Sequence, residues 1–138
     1  MTQRVGMVGM GLMGQAFIHN LRKSQIMVQG FDVDPARMDD LAAQGGHPVD
    51  TPAAAAKDVD CVIASLPTSD IAREVLLGAD GVAEGAADGL YICDTTTARP
   101  EDSEALFADM DARGIRYLDS CVSGTSTMAH DGLSLIHI

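Results

Sequence analysis

Apolar residues in this chain fall into short runs separated by longer amphipathic stretches. Arg4–Val8, Met27–Asp32, Gly46–Val49, Cys61–Leu66, Leu90–Asp94 and Arg116–Asp119 read as strands. Between them, Met13, Ala16, Phe17 and Leu21 recur at helical spacing, as do Met38, Leu41 and Ala42, and then Ser103, Leu106, Phe107 and Met110. Each set predicts a helix that turns one face to the core. Asp34-Pro35, Thr51-Pro52 and Arg99-Pro100 mark helix starts, because proline suits the first helical position, and Asp34 and Thr51 carry capping oxygens. Gly114 predicts the end of the last of these helices. Strands alternating with helices imply an α/β fold, a doubly wound parallel sheet with helices on both faces.

The first unit carries a ligand signal. Val5-Gly6-Met7-Val8 runs into Gly9-Met10-Gly11-Leu12-Met13-Gly14, and Asp32 closes the next apolar run. A buried strand, a glycine turn, a helix start and an acid about 20 residues on are the parts of a Rossmann-type dinucleotide-binding unit. Gly9 allows the sharp turn, Gly11 allows close approach of a pyrophosphate, and Gly14 allows tight helix packing. The helix start offers unpaired N–H groups and partial positive charge to a phosphate. A methyl-donor nucleotide on a similar loop, or a tight turn without a ligand, are the other readings. Asp32 suits both hydroxyls of an adenosine ribose and repels a 2′-phosphate, which favours NAD over NADP. Arg37 argues the other way, but it sits five residues further on inside a helix.

Composition narrows the range of partners. At 138 residues the chain is expected to form one domain with a real core. No run reaches the roughly 18 apolar residues of a membrane span, and no signal segment is expected ahead of the first strand. Cys61, Cys93 and Cys121 are odd in number and lack metal-type spacing, so buried thiols in a reducing cytoplasm are expected and no metal site is. A formal charge of −11 argues against nucleic acid and anionic membranes as partners.

Ligands of open parallel sheets sit beyond the carboxyl ends of the strands. Ser65-Leu66-Pro67-Thr68, Asp94-Thr95-Thr96-Thr97 and Asp119-Ser120-Cys121-Val122-Ser123-Gly124-Thr125 fall on that edge. Alone, the threonines read first as a helix-entry turn that satisfies its own backbone.

Together with the glycine turn, the Leu66-Pro67 pair, Asp94-x-Thr96-Thr97-x-x-Pro100 and Leu118-Asp119-Ser120-Cys121-Val122-Ser123-Gly124 resemble the successive signatures of the β-hydroxyacid dehydrogenases. This family includes 3-hydroxyisobutyrate dehydrogenase, tartronate semialdehyde reductase and the 6-phosphogluconate dehydrogenase cofactor domain. The resemblance spans residues 4–132. It implies an oxidoreductase that exchanges hydride between nicotinamide and a small 3-hydroxy acid or its semialdehyde, working as a homo-oligomer. It also implies that Gly9, Met10, Gly11, Leu12, Met13 and Gly14 hold the pyrophosphate and Asp32 the ribose. Leu66, Pro67 and Thr97 would line the cofactor cleft, and Ser123 and Gly124 would bind the substrate carboxylate.

The chain departs from the pattern in two places. Thr125 stands where the family continues with a second glycine, so its side chain is expected to narrow the substrate pocket. The family's acid/base lysine lies on a helix beyond the sheet, whereas the only lysines here are Lys23 and Lys57, both expected at the surface. His130 lies near the substrate loop and is a weaker candidate for proton exchange. The expectation is an amino-terminal cofactor domain at residues 1–132 that lacks the catalytic lysine and the carboxy-terminal helical domain, and is inactive alone. A non-catalytic nucleotide-binding or interaction module is the rival reading. Leu133-Ser134-Leu135-Ile136-His137-Ile138 matches the in-frame translation of a transposon-end sequencing adapter, so residues 133–138 are expected to be a non-native tail. A natural short strand is the alternative.

Overall fold

Proline and a neighbouring oxygen set the helix starts, as the sequence predicts. The Asp34 carboxylate accepts the Ala36 N–H at 3.0 Å at the head of α2 (Pro35–Ala43). Thr51 does the same for Ala54, also at 3.0 Å, at the head of α3 (Pro52–Ala56). Pro100 opens α6 (Pro100–Asp111), where Arg99 makes no side-chain cap and instead forks onto Asp102. That fork, with a hydrogen bond from Ser69, holds the Asp102 carboxyl below the usual carboxylate range. Four further helices are α1 (Leu12–Lys23), α4 (Ser69–Leu77), α5 (Val82–Gly85) and α7 (Ser126–His130).

The computed structural model describes residues 3–133, so the proposed tail lies outside the described residues from Ser134 onward. Its strands are β1 (Arg4–Val8), β2 (Met27–Phe31), β3 (His47–Pro48), β4 (Cys61–Ala64), β5 (Tyr91–Asp94) and β6 (Arg116–Asp119). They form one parallel sheet in the order β3-β2-β1-β4-β5-β6, the doubly wound arrangement expected. The predicted third strand shrinks to His47–Pro48, because it lies on an edge and Pro48 has no N–H for the ladder. The second and fourth strands stop at Phe31 and Ala64, where the chain leaves the sheet to build its carboxyl edge.

Alternate residues of each strand feed two cores. Met7, Val28 and, on its fringe, Ile63 face α1 and α2, where Met10, Ile18 and Leu41 complete the packing. Val8, Val62, Ala64, Ile92 and Tyr117 face the other way, against Ala55, Leu76, Val82, Leu106 and Met110. Ile18, fully buried, is central to α1, and Phe17 and Leu21, which the sequence placed on the inner face, pack beside it. Two predicted core residues are at the surface. Ala42 is exposed because Leu41 occupies the seam of α2. Phe107 is exposed because the sheet ends at β6 and leaves nothing beyond it. On the α1 side of β5 and β6, Tyr91 and Leu118 are likewise exposed. Among the described residues no helix is long and apolar enough to cross a membrane, and no cluster of His, Cys, Asp or Glu could hold a metal ion.

Candidate nucleotide-binding cleft

The direction of winding reverses between β1 and β4, and a crevice opens at the carboxyl ends of strands at such a point. Gly9 leaves β1 with φ +82°, and its N–H donates to the Phe31 carbonyl at 3.1 Å. A Cβ on Gly9 would stand 2.2 Å from the Ser65 carbonyl oxygen, and one on Gly14 would stand 2.4 Å from the Gly9 carbonyl oxygen. Both glycines are therefore required by the turn itself.

Gly11 differs. It has an ordinary φ of −67°, and a Cβ added there would meet nothing within 4 Å. No contact inside the protein demands a glycine at that position, and the space beside it is open. Gly11 is also the residue preceding α1, a helix whose start has no side-chain cap, whereas α2, α3, α4 and α7 are each capped by a side-chain oxygen. The first N–H groups of α1 thus face open space.

This space is a cleft of about 520 Å³ bordered by Gly9, Gly11, Leu12 and Met13 at one end and Asp32, Val33 and Arg37 at another. Phe31, Leu66, Ile71 and Val75 give it an apolar wall. Asp32 is half-buried, and its two oxygens are already engaged. Oδ2 accepts the Met10 N–H at 2.5 Å, and Oδ1 accepts the Asp34 N–H at 2.9 Å. A carboxylate offers about four lone-pair sites, so Asp32 keeps capacity for two hydroxyl donors. Main-chain donors, a carboxylate and an apolar slot suit a pyrophosphate, a ribose and an adenine in turn.

The structure brings most of the predicted cofactor residues together, with changes in role. Gly9, Gly11, Leu12, Met13, Asp32, Leu66 and Pro67 border the cleft. Gly14 lies behind it as a packing glycine. Met10 contributes only its backbone, because its side chain is fully buried in the core beneath α1. Thr97 does not line this cleft. It is exposed at the tip of β5, with its hydroxyl 3.6 Å from the Cys121 thiol. The reason is spacing: β5 lies one strand beyond the reversal point.

Arg37 does border the cleft, because the first turn of α2 folds back over it, and it is held by Asp34 at 3.9 Å and Asp40 at 3.5 Å. Sequence reading also missed Val33 and Ile71, both exposed at the cleft. The only signal for Val33 was an isolated apolar residue directly after Asp32.

The tips of β4, β5 and β6 are tied together by Asp94. Its buried carboxylate accepts the Tyr117 hydroxyl at 2.8 Å and the Thr96 N–H at 2.9 Å. Thr96 Oγ1 in turn accepts the Leu66 N–H at 3.2 Å. Burial, and then the adjacent Asp94, push the Tyr117 hydroxyl above its ordinary range. The Asp-x-Thr segment is therefore a structural staple that fixes where Leu66 enters the cleft. In the loop after β6, Ser123 is exposed and Gly124 has φ +143°. The Thr125 hydroxyl accepts the Met128 N–H at 3.2 Å as the cap of α7. Thr125 thus serves the helix start, and its hydroxyl keeps its own O–H to donate. His130 stacks on His19 of α1, with ring centroids 4.0 Å apart, outside the residues lining the cleft. Lys23 and Lys57 are exposed at the carboxyl ends of α1 and α3, on the opposite edge of the sheet.

Comparison with known proteins gives the same picture. The family model described as the NAD binding domain of 6-phosphogluconate dehydrogenase matches residues 4–137. The chain is 35% identical over 132 residues to 3-sulfolactaldehyde reductase of Escherichia coli, covering 96% of this chain and 44% of that protein. It is 32% identical over 128 residues to the mitochondrial 3-hydroxyisobutyrate dehydrogenase of Homo sapiens, covering 93% and 38% respectively. Among solved structures, Mycobacterium tuberculosis 3-hydroxyisobutyrate dehydrogenase with L-serine superposes at a TM-score of 0.87 and 27% identity, over 95% of this chain and 44% of that one. The chain spans less than half the length of each of these relatives.

Proposed function

Because this chain belongs to the family of NAD-binding domains typified by 6-phosphogluconate dehydrogenase, we propose that it is the cofactor-holding part of an oxidoreductase acting on a small 3-hydroxy acid or the corresponding semialdehyde. Nicotinamide supplies hydride exchange at the carbon bearing oxygen when the cofactor is bound. The residues of this chain do the rest of the binding work. The N–H groups at the start of α1 face the pyrophosphate, Gly11 leaves room for it, Asp32 accepts the ribose hydroxyls, and the Phe31–Leu66–Ile71 wall covers the adenine. The charge on Asp32 favours NAD over NADP, and Arg37 does not offset it while paired with Asp34 and Asp40.

Ser123 and the Gly124 backbone N–H are assigned to the substrate carboxylate. The proton-transfer lysine that the family resemblance implies is assigned to the portion of these relatives that lies outside the matched region. That part would cover the exposed Tyr91 and Leu118 side of the sheet and form the subunit contact. The described chain by itself is assigned nucleotide binding without turnover.

The observation that carries this reading is Gly11, an unstrained and uncrowded glycine at an uncapped helix start inside a cleft. Calorimetric titration of the chain with NADH and NADPH tests it. Saturable heat with NADH is expected, and a folded chain that gives no heat with either nucleotide overturns it.

A further inference from the structure

We infer that Asn20 is a positioning residue that holds the substrate loop onto the cofactor helix. The inference rests on the assignment of Ser123 and Gly124 to the substrate. Their loop leads directly into α7, which is five residues long. A helix that short is marginal without tertiary support, and none of its residues is fully buried. Only Ser126, Met128 and Ala129 are partly buried, so packing against α1 does not by itself fix its position.

Polar contacts do. Thr125 caps its start. At its end the Ala129 carbonyl accepts the Gly132 N–H at 3.1 Å and the Met128 carbonyl accepts the Leu133 N–H at 2.8 Å, and a side chain distant in sequence adds a further donor. Asn20 Nδ2 donates to the Ala129 carbonyl at 2.7 Å and reaches the His130 carbonyl at 3.2 Å, while also bonding the Ala16 carbonyl of its own helix at 2.9 Å. Gly132 turns the chain away at φ +74°, and a Cβ there would lie 3.4 Å from Asn20 Oδ1. The neighbouring His19 stacks on His130. One helix, α1, thus borders the nucleotide cleft with its first turn, where its N–H groups would hold a pyrophosphate, and grips α7 with its last ones. Ser123 and Gly124 inherit a fixed offset from the cofactor turn through that grip.

The test is amide hydrogen exchange across α7 in the 138-residue chain, comparing wild type with Asn20→Asp, Asn20→Ser and Asn20→Gln. Asp and Ser remove the carboxamide donor, whereas Gln retains it. Exchange at Ala129, Asp131 and Gly132 is expected to rise roughly tenfold in the Asp and Ser variants, the effect of losing one or two hydrogen bonds. It should stay close to wild type with Gln, and NADH affinity should be unchanged in all three. Unchanged α7 exchange in the Asp and Ser variants overturns the inference. So does equal loosening by Asp, Ser and Gln, which would mean that shape rather than the donor matters. Two removal variants guard against one failing to fold. The exchange readout needs no nucleotide, so failure of NADH binding in wild type would count against the cofactor reading separately.

Discussion

Asp32 Oδ2 accepts the backbone N–H of Met10 at 2.5 Å, so the residue assigned to the ribose is wired to the turn assigned to the pyrophosphate. One carboxylate organises both halves of the cleft. Asp32→Ala is expected to weaken NADH binding about 10- to 100-fold, the worth of hydrogen bonds to a charged group. NADPH binding should fall less, because the repulsion of a 2′-phosphate disappears too. Paired calorimetric titrations check this, and an unchanged NADH affinity would remove Asp32 from the site.

Gly9 and Gly11 should separate folding from binding. Gly9→Ala places a Cβ 2.2 Å from the Ser65 oxygen at φ +82°. The strained backbone alone costs about 1–2 kcal/mol before the clash is counted, so a clear drop in urea midpoint is expected. Gly11→Ala meets no protein atom, so its urea midpoint should match wild type while NADH affinity falls about tenfold or more. A matched loss of stability in both variants would contradict the distinction.

Tyr117→Phe deletes a buried donor to Asp94 and is expected to cost about 1–3 kcal/mol. Asp94→Ala should cost at least as much, and the double variant less than the two combined, since the partners share one interaction. The folded state raises the Tyr117 hydroxyl above its ordinary value. Its contribution is therefore complete below about pH 10, the unfolded value, and is lost as pH climbs above it. Tyr117→Phe should flatten that alkaline decline in denaturant titrations run at several pH values.

The thiols should react in a defined order. Cys121 is exposed at the carboxyl edge, whereas burial pushes the Cys61 thiol up, with Cys93 and Asp60 adding to the effect. The thiolate is the nucleophile, so iodoacetamide at pH 8 should label Cys121 roughly tenfold faster than Cys61 by peptide mass spectrometry. Equal rates would show that Cys61 is not shielded.

Local chemistry was legible along the chain. Pro35, Pro52 and Pro100 do open helices, alternating apolar runs do become strands, and Gly9 does adopt the left-handed turn. These features depend on a residue and its near neighbours, which sequence spacing encodes directly. Ala42 and Phe107 were misjudged because the seam a side chain joins depends on what lies across it.

The amino-acid order by itself determined the α/β alternation, the uncapped glycine entry to α1 and the acid after β2. Tertiary structure alone decided that Arg37 folds over the cleft, that Thr97 stands a strand away from it, that Thr125 caps a helix and that Asn20 grips a carbonyl 109 residues distant. Those outcomes follow from strand order and helix docking, and a contact between remote segments leaves no periodicity in either segment.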